Sequence, residues 1–175
     1  MKQSHHILPI FMHHFGCVCP SYEALEIIKQ TAQTRNIVEI GSGNGYWAYL
    51  LRRLGLSITA VDNGESEYRT MWIPDTIFTD GIAYLKKQKG ASQAVLLLVY
   101  PVVGADFTAN VLDAYAGHTV IMVGTQNANG YTAFKDMTIV KYMAEKKTEF
   151  ERVVQVPLPS FAGKDEALFI FRRRE

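Results

Sequence analysis

The stretch "AVLLLVY", residues 94–100, is an unbroken apolar run closed by Pro101. A strand with one face in water alternates polar and apolar side chains, and this one does not. It is also far too short to span a bilayer. It therefore reads as a central strand covered on both faces, as in a parallel sheet flanked by helices. Such a strand needs parallel neighbours, and parallel neighbours need crossover helices between them.

The remaining sequence supplies both. Residues Ile37 to Ile40, Leu56 to Val61, Thr76 to Thr79 and His118 to Val123 are short apolar runs that read as strands. Helical spacing falls between them: Tyr46 to Leu54 with Gly55 as its stop, Ile82 to Lys87, Asp106 to Tyr115, and Ala133 to Lys146. Two strands end the pattern, Phe150 to Val156 and Ala167 to Arg172. The turn-rich "PLPSFAGKDE" between them has no room for a crossover helix, so this pair should be antiparallel. The expected architecture is α/β: a doubly wound, mostly parallel seven-stranded sheet with a C-terminal antiparallel hairpin. The organisation expected is a lead-in and helix over residues 1–35, with Ser21 capping a helix in "PSYEALEIIK", followed by one domain over 36–175.

Composition excludes several classes. The 175 residues carry 18 Lys and Arg against 17 Asp and Glu, a formal net charge of +1, so no bulk charge recruits nucleic acid or an anionic membrane. Arg172, Arg173 and Arg174 form the densest basic cluster and read as a solvated tail. Cys17 and Cys19 are the only cysteines, so no disulfide framework is expected. The apolar stretch from Ile7 to Met12 is too short for a secretory core and contains Pro9. The expectation is a cytoplasmic protein, with the nucleus left open.

The chemistry starts at "VEIGSGNGYWA", residues 38–48. Gly41, Gly43 and Gly45 lie between the first strand and the next helix, where a ligand can meet bare backbone and a helix N-terminus. A triphosphate loop would need Gly-Lys-Ser/Thr, whereas Tyr46 and Trp47 follow Gly45. A dinucleotide fingerprint would need glycine where Tyr46 stands. The acid at Glu39, two places before Gly41, also disfavours a nicotinamide-dependent oxidoreductase.

This pattern resembles the class I S-adenosylmethionine-dependent methyltransferases, whose first motif is an acid, one residue, then Gly-x-Gly-x-Gly. Here it stands as Glu39-Ile40-Gly41-Ser42-Gly43-Asn44-Gly45. The family also carries an acid at the end of the second strand, matched by Asp62 in "ITAVDN". It often has an acid or amide at the end of the third, matched by Asp80 in "FTDG". A terminal hairpin completes a likeness over roughly residues 36–173, with a Rossmann-like sheet. The resemblance implies S-adenosylmethionine as cofactor. The binding set it implies is Glu39, Gly41, Ser42, Gly43, Gly45, Asp62, Asn63, Asp80, Gly81 and Tyr100. Asp62 would accept from the ribose hydroxyls and Asp80 from the adenine amino group. Glu39 has two readings: offsetting the ligand's cationic groups, or accepting from the loop's own amides.

The acceptor is less legible. Where relatives that methylate exocyclic or amide nitrogens carry Asp/Asn-Pro-Pro-aromatic, this chain has "VYPVV". That departure favours a small molecule or protein over nucleic acid. Tyr100, His13 and His14 are the candidate catalytic residues, while His5, His6, His13 and His14 also suit a lid or an exposed lead-in. "HHFGCVC" invites a metal reading, but the spacing matches no standard zinc module, so no metal is assigned. Of the two loops on the cofactor side, amide-rich residues 124–132 are favoured for acceptor contacts over residues 159–167. A partner subunit or homodimer would complete a small domain of this kind. A methyltransferase-fold scaffold without activity is the alternative function.

Overall fold

The computed structural model describes residues 4–104, 106–127 and 132–175. The middle of the amide-rich loop, residues 128–131, and the side chain of His5 lie outside the described residues. The sheet has seven strands: β1 (Ile37–Ile40), β2 (Ile58–Asp62), β3 (Ile77–Phe78), β4 (Val95–Val99), β5 (Thr119–Thr125), β6 (Phe150–Pro157) and β7 (Glu166–Arg173). Their order is β3-β2-β1-β4-β5-β7-β6, with parallel pairing up to β5 and antiparallel pairing of β7 with both its neighbours. The chain winds outward from β1 to β3 and then returns to β4. The reversal of winding opens a crevice beyond the carboxyl ends of β1 and β4, where open α/β sheets bind ligands.

Alternating side chains along the strands build two cores. Ile37, Val95, Leu97, Ile121, Leu168 and Ile170 face one side and pack with α2 (Tyr22–Ala32) and α3 (Tyr46–Arg53). Val38, Ile40, Leu96, Leu98, Met122 and Phe169 face the other and pack with α5 (Phe107–Ala114) and α6 (Ile139–Lys146). Leu96, Leu97 and Leu98 are fully buried, so the apolar run is covered on both faces, as its composition requires. The short helix α4 (Gly81–Lys87) follows β3. Among the described residues no helix is long and apolar enough to cross a membrane.

Two segments differ from the sequence reading. The lead-in is itself a helix, α1 (Ser4–Phe15), despite Pro9 inside it. Tertiary packing outweighs the lost backbone bond: Phe11 meets Phe161 edge-on at 5.2 Å, and Phe15 meets Tyr46 edge-on at 5.1 Å. Gly16, at φ 88°, ends the helix by donating to Met12. The expected helix over Ala133 to Lys146 begins only at Ile139, where the Thr138 hydroxyl accepts from the Lys141 amide. Ala133 and Phe134 serve instead as anchors. The Ala133 amide donates to the Pro101 carbonyl at 2.9 Å, and Phe134 stacks on Tyr142. Ser21 is the N-cap of α2, as its position predicts, accepting from Ala24 at 3.1 Å.

Tyr115 locks the turn from α5 into β5. Its ring is buried, and its hydroxyl lies 2.6 Å from the Ala94 carbonyl and 2.8 Å from that of Thr119. Tyr115→Phe removes the donor and leaves buried carbonyls short of a partner, so urea unfolding should show a loss of about 1–3 kcal/mol.

Candidate functional site

The glycine loop is held from one side by β2. The Gly41 and Ser42 amides donate to the Val61 carbonyl at 2.8 and 3.0 Å. Asp62 then ties two loops together: Oδ2 accepts from the Gly43 amide at 2.7 Å and Oδ1 from the Gly64 amide at 2.8 Å. Each oxygen keeps a further lone pair. Gly41, Gly43 and Gly45 all have positive φ, at 75°, 55° and 75°. Their surroundings differ. A Cβ on Gly41 would meet nothing closer than 4.0 Å, so its α-carbon borders open space. One on Gly43 would lie 2.7 Å from the Tyr68 hydroxyl, and one on Gly45 would lie 2.4 Å from the Ile73 side chain. Gly45 thus faces packing, not the crevice, and corrects the expectation that all three glycines border a ligand.

The crevice is a cavity of about 280 Å³. Of the expected binding residues, Glu39, Gly41, Ser42, Gly43, Asp62, Asn63, Asp80, Gly81 and Tyr100 all line it. Asp80 is exposed and caps α4, its Oδ1 accepting from Ala83 at 2.7 Å. Gly81 is demanded by β1, because a Cβ there would sit 2.3 Å from Ile40. Asn63 turns its Oδ1 to the Glu65 amide.

Glu39 is 1% exposed and its Oε2 has no partner. Of its two readings, acceptance from the loop amides therefore fails, since Gly41 and Ser42 donate to Val61 and Gly43 to Asp62. Burial raises its pKa to about 8, Asp62 adds to the rise, and Arg52 opposes it. Two other buried polar atoms in the same wall lack partners: the Ser42 hydroxyl and the Trp47 indole N–H. The wall thus holds one unpartnered carboxylate oxygen and two groups able to donate. Buried polar groups without partners are costly and rare, and three around one cavity suit a polar ligand.

The N-terminal segment closes one side. Phe15, Gly16 and Cys17 line the cavity, and the segment is latched by backbone. The His14 carbonyl accepts from Asn44 Nδ2 at 2.9 Å and from Trp72 Nε1 at 2.6 Å. The His13 carbonyl accepts from the Arg69 amide. Phe15, Tyr46, Tyr49 and Trp72 form an aromatic cluster over the start of α3. The imidazoles themselves do not reach the cavity: His13 is exposed and His14 pairs with the Thr70 hydroxyl. His13 and His14 are thereby corrected as catalytic candidates; their main chains latch the segment. Cys17 and Cys19 are free cysteines whose thiols are pushed above their ordinary pKa by burial.

On the far side, the described part of the amide-rich loop is committed to the hairpin. Gln126 and Asn127 donate side-chain bonds to Asp165. The hairpin delivers Lys164 to Tyr100. Sequence reasoning missed Tyr68 and Trp47 as cavity residues, weighed Cys17 only as a metal ligand, and had Lys164 only as part of the less favoured loop. Trp47 alone carried a local signal, being next to the loop; the others arrive from distant segments.

No protein-family profile matches the sequence, and no curated protein does. Solved structures do. A magnesium protoporphyrin IX methyltransferase from Synechocystis, solved with bound S-adenosylhomocysteine, aligns at TM-score 0.58 and 10% identity over 87% of this chain and 81% of that one. A 1,6-didemethyltoxoflavin N1-methyltransferase from Burkholderia thailandensis aligns at TM-score 0.55 and 13% identity over 99% and 85%. An rRNA methylase from Streptococcus thermophilus aligns at TM-score 0.56 and 15% identity over 90% and 98%. The fold is class I methyltransferase-like. Neighbours with small-molecule and RNA names share it, so the fold itself lends no support to the expectation against nucleic acid.

Glu39 makes a pH prediction. Its folded pKa of about 8 exceeds its ordinary 4.5, so the native state holds a proton there that the unfolded chain releases. Stability from this group is present below pH 4.5 and is lost as pH rises to about 8. Denaturant titrations should show Glu39→Gln gaining on wild type across that window, by on the order of 1 kcal/mol per pH unit.

Proposed function

We propose that this chain is an S-adenosylmethionine-dependent methyltransferase, with residues 36–175 forming the cofactor-binding domain and the N-terminal 35 residues serving as a lid. The carrying observation is the set of unpartnered polar atoms in one cavity wall. An amino-acid end of a ligand is a zwitterion. Glu39 Oε2 suits its ammonium, while the Ser42 hydroxyl and the Trp47 N–H suit its carboxylate. Asp62 has lone pairs left for two adjacent ribose hydroxyls, and Asp80 with the Gly81 amide suits the donor and acceptor edge of adenine. Gly41 lets the loop approach the ligand with no side chain between.

When bound, the cofactor supplies a methyl group already activated on a sulfonium. The residues of this chain then bind, orient and exclude water. Phe15, Val99, Val102 and Phe107 give the cavity an apolar side. Methyl transfer between aligned partners gains from such desolvation. We place the acceptor among small molecules: the described residues that line the cavity include no lysine or arginine, the side chains that would hold a phosphate backbone.

Calorimetric titration tests this reading. Wild type should bind S-adenosylhomocysteine, and Asp62→Ala should weaken binding by at least about tenfold, since it loses the ribose contact and frees the Gly43 loop. Absence of binding to the folded wild-type protein would refute it.

A further inference from the structure

Tyr100 is the residue in the cavity wall whose conformation is hardest to explain by packing. It follows β4 with φ 50°, a left-handed conformation that a bulky residue adopts only under constraint, and it precedes a proline. Its amide still donates to Val123 at 2.7 Å, continuing the sheet. The ring is therefore turned by a strained backbone at the point where it meets the cavity, and such strain concentrates at functional sites.

Lys164 reaches this ring from the β6–β7 hairpin. Its Nζ lies 2.8 Å from the Tyr100 Oη and 4.8 Å from the ring centroid. An ammonium has only donors, so the phenol oxygen must accept. The phenolic proton is then left over, and among the described residues the hydroxyl makes no other hydrogen bond. Tyr100 is thus obliged to be a donor toward whatever stands beside it. Glu166, buried behind, forms an ion pair with Lys164 at 3.9 Å, longer than a hydrogen bond, so the ammonium's hydrogen bond goes to the Tyr100 oxygen. Lys164 itself remains 23% exposed. The hairpin is held in this place by Asp165, which takes bonds from Gln126 and Asn127.

The lining near β1, β2 and β3 carries Glu39, Asp62, Glu65 and Asp80, and no lysine or arginine is among the described residues of the lining. Lys164 stands behind the opposite wall. A cation backing a hydroxyl that must donate, in a cavity lining that also includes Val102 and Phe107, suits a negatively charged oxygen on an apolar body.

We propose that Tyr100 and Lys164 form the acceptor-recognition site of this cavity and select small aromatic or aliphatic carboxylates over neutral and cationic analogues. This rests on the methyltransferase reading for the meaning of "acceptor", but the binding site itself does not. Tyr100 touches the ligand; Lys164 acts through it and through its charge.

The test titrates benzoate, benzamide and benzylamine into the isotope-labelled protein, followed by amide NMR shifts, with and without S-adenosylhomocysteine. Benzoate should bind at least about tenfold tighter than benzamide, with shifts centred on Tyr100 and the hairpin, and benzylamine should be weakest. Lys164→Met should bring the benzoate-to-benzamide ratio close to one, and Lys164→Arg should keep it above one. Tyr100→Phe should weaken both ligands, because both lose the donated hydrogen bond. A merely structural lysine would weaken both ligands alike in Lys164→Met and leave the ratio unchanged, which overturns the proposal. Benzamide or benzylamine matching benzoate, or benzoate failing to bind, also overturns it. If wild type ignores S-adenosylhomocysteine yet discriminates benzoate through Lys164, the cofactor reading fails and this site stands.

Discussion

Two bonds to one carboxylate shape the whole site. Asp62 accepts from Gly43 and from Gly64, so the loop after β1 and the loop after β2 are fastened to the same side chain. The first loop can then follow a path of positive φ angles while its first two amides reach back to Val61. With Gly41, Ser42 and Gly43 spent in this way, none of the loop's first three amides turns to Glu39. A carboxylate placed by strand alternation on the α2–α3 face is left buried beside a second carboxylate. Its raised pKa is a consequence of that crowding and burial, not a separate design.

The placement of the N-terminal helix follows from the same loop. Asn44 sits between Gly43 and Gly45, and its amide group spans two structures at once. Nδ2 donates to His14 and Oδ1 accepts from Tyr46. The Trp72 amide donates to the Asn44 main-chain carbonyl, so the start of α3, the end of α1 and the Trp72 segment meet at one buried residue. The aromatic cluster around Phe15 and Trp72 adds apolar contact to these bonds. The N-terminal helix is thus coupled to the glycine loop by residues whose roles are visible only when distant parts of the chain are brought together.

What the sequence discloses follows from range. The glycine loop, Asp62, Asp80 and the covered strand β4 are local patterns, and each stands where a reading of the residues puts it. The C-terminal hairpin was legible because ten turn-rich residues cannot hold a helix. The helix at Ser4–Phe15 was not legible, since Pro9 argues against it and the favourable contacts come from Phe161, Tyr46 and Trp72. The start of α6 was misjudged for a related reason. Ala133 and Phe134 satisfy a helical pattern but are held by Pro101 and Tyr142. The histidines looked chemical by type; the structure uses their carbonyls. Lys164 sat in a loop that offered three charged residues in a row, and only tertiary structure distinguishes the one that meets Tyr100.

The account turns on Glu39 being a buried acid that waits for a cationic partner. Calorimetry of S-adenosylhomocysteine binding at pH 6.5, repeated in buffers of different ionisation enthalpy, measures the protons exchanged. Both Glu39 and the ligand's amino group are protonated at that pH before they meet. Placing an ammonium against Glu39 should release about one proton from wild type and none from Glu39→Gln. Binding with no buffer dependence in wild type, or the same release from the variant, would contradict the account.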